Sequence, residues 1–282
     1  MTYSTLVSTD ELAAHLDDPQ WVVIDCRFVL SEPEAGRALY CQSHIPNARY
    51  AHLNKDLSST VSADSGRHPL PDPYVLAEKL SQWGIDKQTQ VVVYDDTFGA
   101  MAVRLWWLLR WLGHEAAALL DGGLPKWQRE QRPMDAELPE VTPKTFQMQV
   151  NNALWVDAHT VDSIREHSDH VLVDARAEER YTGMIEPLDK VAGHIPGAIN
   201  HPYEDNLDFS GEFMSAEELK GEYKDLIGNR DPANIIHMCG SGVTACHNIL
   251  AMEHAGLKGS KLYAGSWSEW ITRPERPVTT GE

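Results

Sequence analysis

The chain has 282 residues, room for about two domains at roughly 150 residues each. Hydrophobic residues make up 42% and charged residues 23%, which excludes a disordered chain. A net charge of −18 repels polyphosphate and argues against nucleic acid or an anionic membrane as a partner. Four cysteines, none in a C-x-x-C pair, are too few for a disulfide scaffold and lack structural-zinc spacing; reduced thiols and no metal are expected. Met1-Thr2-Tyr3-Ser4-Thr5 carries no basic stretch leading into an apolar one, so a cytoplasmic protein is expected. Residues 11–16 are helical in character, 22–25 a strand, 74–83 a helix and 90–94 a strand. The helical stretch 100–112 and the strand 116–120 follow. The apolar run 105–112 is broken by Arg110 and falls far short of the ~20 residues of a membrane span. Its tryptophans suit a core-facing helix better than a stacking platform.

The second half repeats the first. Val22-Val-Ile-Asp-Cys-Arg27 returns as Val171-Leu-Val-Asp-Ala-Arg176, and His44-Ile-Pro-Asn-Ala48 as His194-Ile-Pro-Gly-Ala198. Asp25 to His44 is 19 positions, and Asp174 to His194 is 20. Val91-Val-Val-Tyr94 then matches Ile235-Ile-His-Met238, and residues 119–127 match 262–270. Several matches in one order indicate a tandem duplication. The halves are read as domains at 1–130 and 154–282, with a proline-containing linker at 131–153. Wholly apolar strands alternating with helices make each half α/β, a mostly parallel central sheet flanked by helices.

In such sheets reactive groups collect where strands end and helices begin. Between the strand at 235–238 and a helix at 245–254 lies Cys239-Gly-Ser-Gly-Val-Thr244. Gly240 and Gly242 let the loop curl so that its N–H groups, with those of Ser241, Val243 and Thr244, form an anion-binding nest at a helix N-terminus. A thiol at its start should ionise readily. The alternative is that Cys239 is a small buried hydrophobe. Asp95 holds the equivalent position in the first half, so packing does not demand sulfur there. The first-half loop, Asp96-Thr-Phe-Gly99, lacks the Gly-x-Gly pattern and is expected not to curl.

The duplicated halves, His-Ile-Pro-Gly-Ala at 194–198, the 239–244 loop and Gly265-Ser-Trp-Ser-Glu-Trp270 together resemble the two-domain rhodanese-superfamily sulfurtransferases along the whole chain. The resemblance implies a persulfide on Cys239, filled by a small anionic sulfur donor and emptied by a thiol, cyanide or thioredoxin-like acceptor, without a cofactor. Thiosulfate-using members carry Arg-Lys after the cysteine; Gly240-Ser241 is similar to the loop of mercaptopyruvate-using members. Arg180 matches the family's donor-facing arginine, and a guanidinium fits a carboxylate in two-pronged fashion. The alternative is a surface arginine paired with Glu178 or Glu179. A second donor-facing arginine, which the resemblance places shortly after Glu-Pro, is replaced at Glu186-Pro187 by Leu188. Ser241 and His68 match two members of a proton-handling triad, whose aspartate position is Asn54, with Asp56 close by. His68 reads equally well as a turn residue between Arg67 and Pro69. Cys246 is read as a packed helix cysteine, with redox pairing to Cys239 the alternative. A cysteine phosphatase needs an arginine six residues after the nucleophile, where Ala245 stands. A non-enzymatic rhodanese-like binding module would lack the loop cysteine.

Overall fold

The computed structural model describes residues 2–281. The first repeat runs β1 (Leu6–Val7), α1 (Thr9–Ala14), β2 (Trp21–Asp25), α2 (Ala35–Gln42), β3 (Arg49–Tyr50), α3 (Pro73–Gln82), β4 (Gln90–Tyr94), α4 (Ala102–Trp111), β5 (Ala117–Leu120) and α5 (Gly123–Arg129). Its sheet has the order β1-β5-β4-β2-β3, and its pairings are parallel. The second repeat runs β6 (Trp155–Val156), α6 (Ala158–Ile164), β7 (Val171–Asp174), α7 (Glu178–Tyr181), β8 (Ala198–Asn200), α8 (Ala216–Ile227), β9 (Ile235–Met238), α9 (Ala245–His254), β10 (Lys261–Tyr263) and α10 (Ser266–Trp270). Its order, β6-β10-β9-β7-β8, is the same arrangement, again parallel. Each half is thus the α/β sheet that the apolar runs imply. β4 and β9 occupy the middle and are buried along their length, so they read as continuous apolar-rich runs rather than alternations.

Side-chain caps shift the helix starts from where hydrophobic periodicity puts them. α1 begins at Thr9 because Ser8 accepts the Glu11 N–H, and α3 at Pro73 because Asp72 accepts from Tyr74 and Val75. Pattern alone does not reveal α2, which buries only Gly36 and Tyr40. α4 is buried except at Arg110, the core helix that its tryptophans imply.

The chain divides into two compact units, one of Met1–Ser59, Leu70–Asn151 and Ser210–Glu212, the other of Thr60–Pro69, Asn152–Phe209 and Phe213–Glu282. The second unit therefore includes a stretch, Thr60–Pro69, that the sequence carries within its first half. Residues of the 131–153 segment bond to the first unit: the N–H groups of Gln149 and Asn151 each donate at 2.8 Å to the carbonyls of Leu112 and Trp111.

The repeated motifs build the same corner twice. His44 stacks on Tyr40 and bonds its carbonyl through Nδ1 at 2.7 Å, while the Tyr40 hydroxyl donates to the Ala48 carbonyl. His194, Tyr181 and Ala198 repeat this geometry. These histidines are spent on structure.

So are the repeated Asp-x-Arg pairs at the ends of β2 and β7. Arg176, 1% exposed, grips Asp174, which is fully buried, with Nη2 to Oδ2 at 2.6 Å, and it also donates to the Gly193 carbonyl. Its guanidinium lies over the Trp267 ring at 4.7 Å. Burial alone would lower the Arg176 pKa, but the Asp174 charge and hydrogen bonds outweigh it and raise it. Arg176→Ala would strand a buried carboxylate, and a loss of about 3–5 kcal/mol in the stability of the second unit is expected. Denaturant melting checks this; a loss below about 1 kcal/mol would show that water or another cation rescues Asp174.

Candidate active site

β9 ends at Met238, and Cys239 follows at the centre of the second sheet, 2% exposed. The first turn of α10 clamps the start of its loop. The Cys239 N–H donates to Ser266 Oγ at 3.1 Å, the Cys239 carbonyl accepts the Trp267 N–H at 3.0 Å, and the Gly240 carbonyl accepts the Ser268 N–H at 2.9 Å. Ser266 holds a left-handed φ of 54°, unfavourable for a side-chain-bearing residue. It is kept there by its hydroxyl, which bridges the Cys239 N–H and the Tyr263 carbonyl. Gly242 is required by its surroundings. Its φ is +76°, and a Cβ would lie 2.3 Å from the Ala264 carbonyl oxygen. Val243 is buried, and Thr244 leads into α9.

Ser241 Oγ and His68 Nδ1 lie 2.7 Å apart, both buried, so the structure brings together two of the three candidate catalytic side chains around the loop of the third. Asn54 and Asp56 belong to the first unit. There Asp56 pairs with Lys79 at 2.9 Å and accepts the His52 N–H, and the Asn54 N–H bonds His52 Nδ1.

Arg180 is paired, though with Glu186 and Asp189 rather than with its neighbours Glu178 or Glu179. Its Nε and Nη2 form a two-pronged grip on Glu186, and Nη2 also reaches Asp189 Oδ2 at 3.0 Å. Burial acts to raise the Glu186 pKa, but the Arg180 fork and the N–H groups of Leu188 and Asp189 outweigh it, so this carboxyl titrates below its usual range. At Asp189 burial prevails over the pull of Arg67 and Arg180, and the pKa is raised. Leu188 is 48% exposed. Cys246 is buried in α9, its thiol 3.5 Å from the Gly242 carbonyl oxygen.

Sequence reasoning missed four residues here: Arg67, Asp189, Ser266 and Ser268. Ser268 Oγ accepts the Arg67 N–H at 3.0 Å, tying the 60–69 stretch to α10, and Arg67 Nη1 is ion-paired with Asp189 Oδ1. Ser266 and Ser268 lie in the 265–270 motif quoted for the resemblance, which was their only available signal. Arg67 stands beside His68, but nothing local to it indicates which carboxylate it meets.

The first unit corrects one expectation. Its loop after β4 does curl, with Phe98 at φ 55° and Gly99 at φ 96°. The Asp95 carboxylate accepts N–H groups from Thr97 and Gly99 at 2.8 Å and from Met101 and Ala102 at 2.7 Å. A positive φ at Phe98 does what a second glycine would have done, and the bonds made by the carboxylate offset its strain.

The rhodanese-like domain pattern matches residues 8–130 and 157–273, and the chain belongs to this family. It is 45% identical to the "Probable 3-mercaptopyruvate sulfurtransferase" of Pseudomonas aeruginosa over 100% of both chains. It is 32% identical to the thiosulfate sulfurtransferase of Mus musculus, over 99% of this chain and 97% of that one. The 3-mercaptopyruvate sulfurtransferase from Leishmania major superposes with a TM-score of 0.84 at 30% identity, over 97% of this chain and 76% of that one. Among the described residues no helix is long and apolar enough to cross a membrane.

Proposed function

We propose that the protein moves a sulfane sulfur from 3-mercaptopyruvate, through a persulfide on Cys239, to a thiol, cyanide or thioredoxin-like acceptor in the cytoplasm. That it is a sulfurtransferase follows from its family and its full-length relatives. The donor reading is carried by the 2.7 Å pair of Ser241 Oγ and His68 Nδ1, set in the loop that Cys239 begins. A thiol donor brings a proton that must be moved; thiosulfate does not.

The Cys239 thiolate attacks the donor's sulfur, the S–S bond forms, and the carbon–sulfur bond breaks with its electron pair going to carbon. Ser241 and His68 carry the thiol's proton to that carbon, so pyruvate leaves and Cys239 keeps an anionic persulfide. N–H groups of residues 240–244 and the start of α9 stabilise that charge. An acceptor thiolate then attacks the outer sulfur and returns Cys239 as thiolate. Arg180 holds the donor carboxylate, a charge-assisted bond worth roughly 1.5–3 kcal/mol.

Side-by-side kinetics with 3-mercaptopyruvate and thiosulfate test the assignment. The expected kcat/KM is higher for 3-mercaptopyruvate, with Ser241→Ala costing that donor more. A wild-type preference for thiosulfate of about tenfold, near 1.4 kcal/mol, would replace it with the thiosulfate reading while leaving sulfur transfer intact.

A further inference from the structure

We propose that a cavity at the N-terminal edge of the first sheet binds a free α-amino acid with an apolar side chain. It belongs to the first unit and does not rest on the sulfurtransferase reading. The cavity, of about 330 Å³, is lined from the start of β2, the start of β3 and the segment 139–144. That volume lies within the range of small-molecule sites. Half-buried Arg49 supplies its cation. Nη1 donates to the Asn47 carbonyl at 2.9 Å, Nε is buried without a partner, and Nη2 bonds no protein group. Among the described residues no carboxylate pairs with this guanidinium. Burial lowers the Arg49 pKa; Tyr40 acts against it, and no carboxylate does. Burial acts the same way on Arg27 and Arg176, but there an aspartate outweighs it. Arginines withdrawn from water are normally paired, so Arg49 is set to receive a carboxylate from outside the chain.

A simple anion would be opposed there. Asp17 and Glu140 line the same cavity, and neither carboxylate is paired among the described residues. The other charged groups in the lining are already engaged. Asp18 bonds His15 and the Gln20 N–H, and Lys144 bonds Asp86 and Thr89. One open cation and two open carboxylates that share a cavity without meeting suit a ligand that carries both charges. Its carboxylate would lie on Arg49 and its ammonium on Asp17 and Glu140. A phosphate would gain Arg49 but face both carboxylates, and a diamine would gain the carboxylates but face Arg49. Leu16, Trp21 and Pro139 give the ligand's side chain apolar walls. His15 stacks on the Trp21 ring at 4.2 Å and holds that wall in place.

Titration calorimetry on the full chain tests this with three probes. L-Leucine carries both charges, 4-methylpentanoate lacks only its ammonium, and 3-methylbutylamine lacks only its carboxylate. L-Leucine should bind with a Kd of about 1 mM or tighter, and each analogue about tenfold more weakly or worse. Arg49→Gln should weaken L-leucine by about tenfold or more, and it strands no charge, because Arg49 neutralises no carboxylate. Should that variant melt early, the double variant Asp17→Asn with Glu140→Gln changes two exposed side chains and should cost L-leucine a similar factor. Absence of L-leucine binding at about 10 mM would overturn the proposal. So would an affinity that the folded variants leave unchanged, since the amino acid would then sit elsewhere. Binding of 4-methylpentanoate as tight as that of L-leucine would overturn it too, by reducing the cavity to a plain anion site.

Discussion

Cys239→Ser should lose sulfur transfer by about a thousandfold or more, the scale seen when a covalent nucleophile is removed. A serine hydroxyl stays protonated at neutral pH and cannot hold a sulfane sulfur for the second half-reaction. The substitution leaves the clamps on the loop in place, because Ser266, Trp267 and Ser268 bond the backbone of residues 239 and 240 rather than the thiol. The variant should therefore melt close to wild type while failing to turn over. With donor alone, the wild-type peptide containing Cys239 should gain the mass of one sulfur atom, and the variant peptide none. More than trace turnover in a folded Cys239→Ser protein would remove this residue from the mechanism. The same mapping sets Cys239 apart from Cys26 for a physical reason. Burial and the nearby charges of Asp25 and Asp95 push the Cys26 thiol well above its ordinary range, so it should resist both sulfuration and alkylation.

The second large effect is expected on stability. Asp95→Ala would leave the N–H groups of Thr97, Gly99, Met101 and Ala102 facing a hole in place of a carboxylate. Each unsatisfied buried donor costs about 1–3 kcal/mol, and entering water recovers part of it, so a net loss of about 3–6 kcal/mol in the first unit is expected. Asp95→Asn should fare little better, because its amide turns donors toward donors. Melting followed by a probe in the first unit reads the loss. A change under about 1 kcal/mol would mean that the loop relaxes without its carboxylate.

This nest also bears on the catalytic loop. A carboxylate oxygen stands two bonds from Cβ, as the outer sulfur of a cysteine persulfide does. β4 and β9 hold the same central place in their sheets. Asp95 thus occupies, in its own unit, the position that the proposed persulfide anion would take beyond Cys239. A curled loop thus holds the Asp95 carboxyl group in the first repeat and, on this reading, a transient persulfide anion in the second.

Features written in local pattern were legible in the sequence. The apolar runs at 90–94 and 235–238 imply strands buried on both faces, and the recurring Asp-x-Arg and His-Ile-Pro motifs reveal the duplication. The strand–glycine loop–helix setting of Cys239 singles out one cysteine of four. Each depends on residues within a turn or a strand of one another, where backbone geometry and solvent exclusion leave few choices. What local pattern left undetermined is who meets whom. Glu186 as the partner of Arg180, the stretch 60–69 as part of the second unit, and Asp189 as the carboxylate joining Arg67 to Arg180 depend on contacts between segments far apart in sequence. The curl after β4 escapes a glycine pattern because Phe98, a residue with a side chain, takes a left-handed φ there. A charged side chain on a loop can satisfy its charge with several partners at similar cost. Only the packed structure, by burying one carboxylate between two guanidiniums, selects among them.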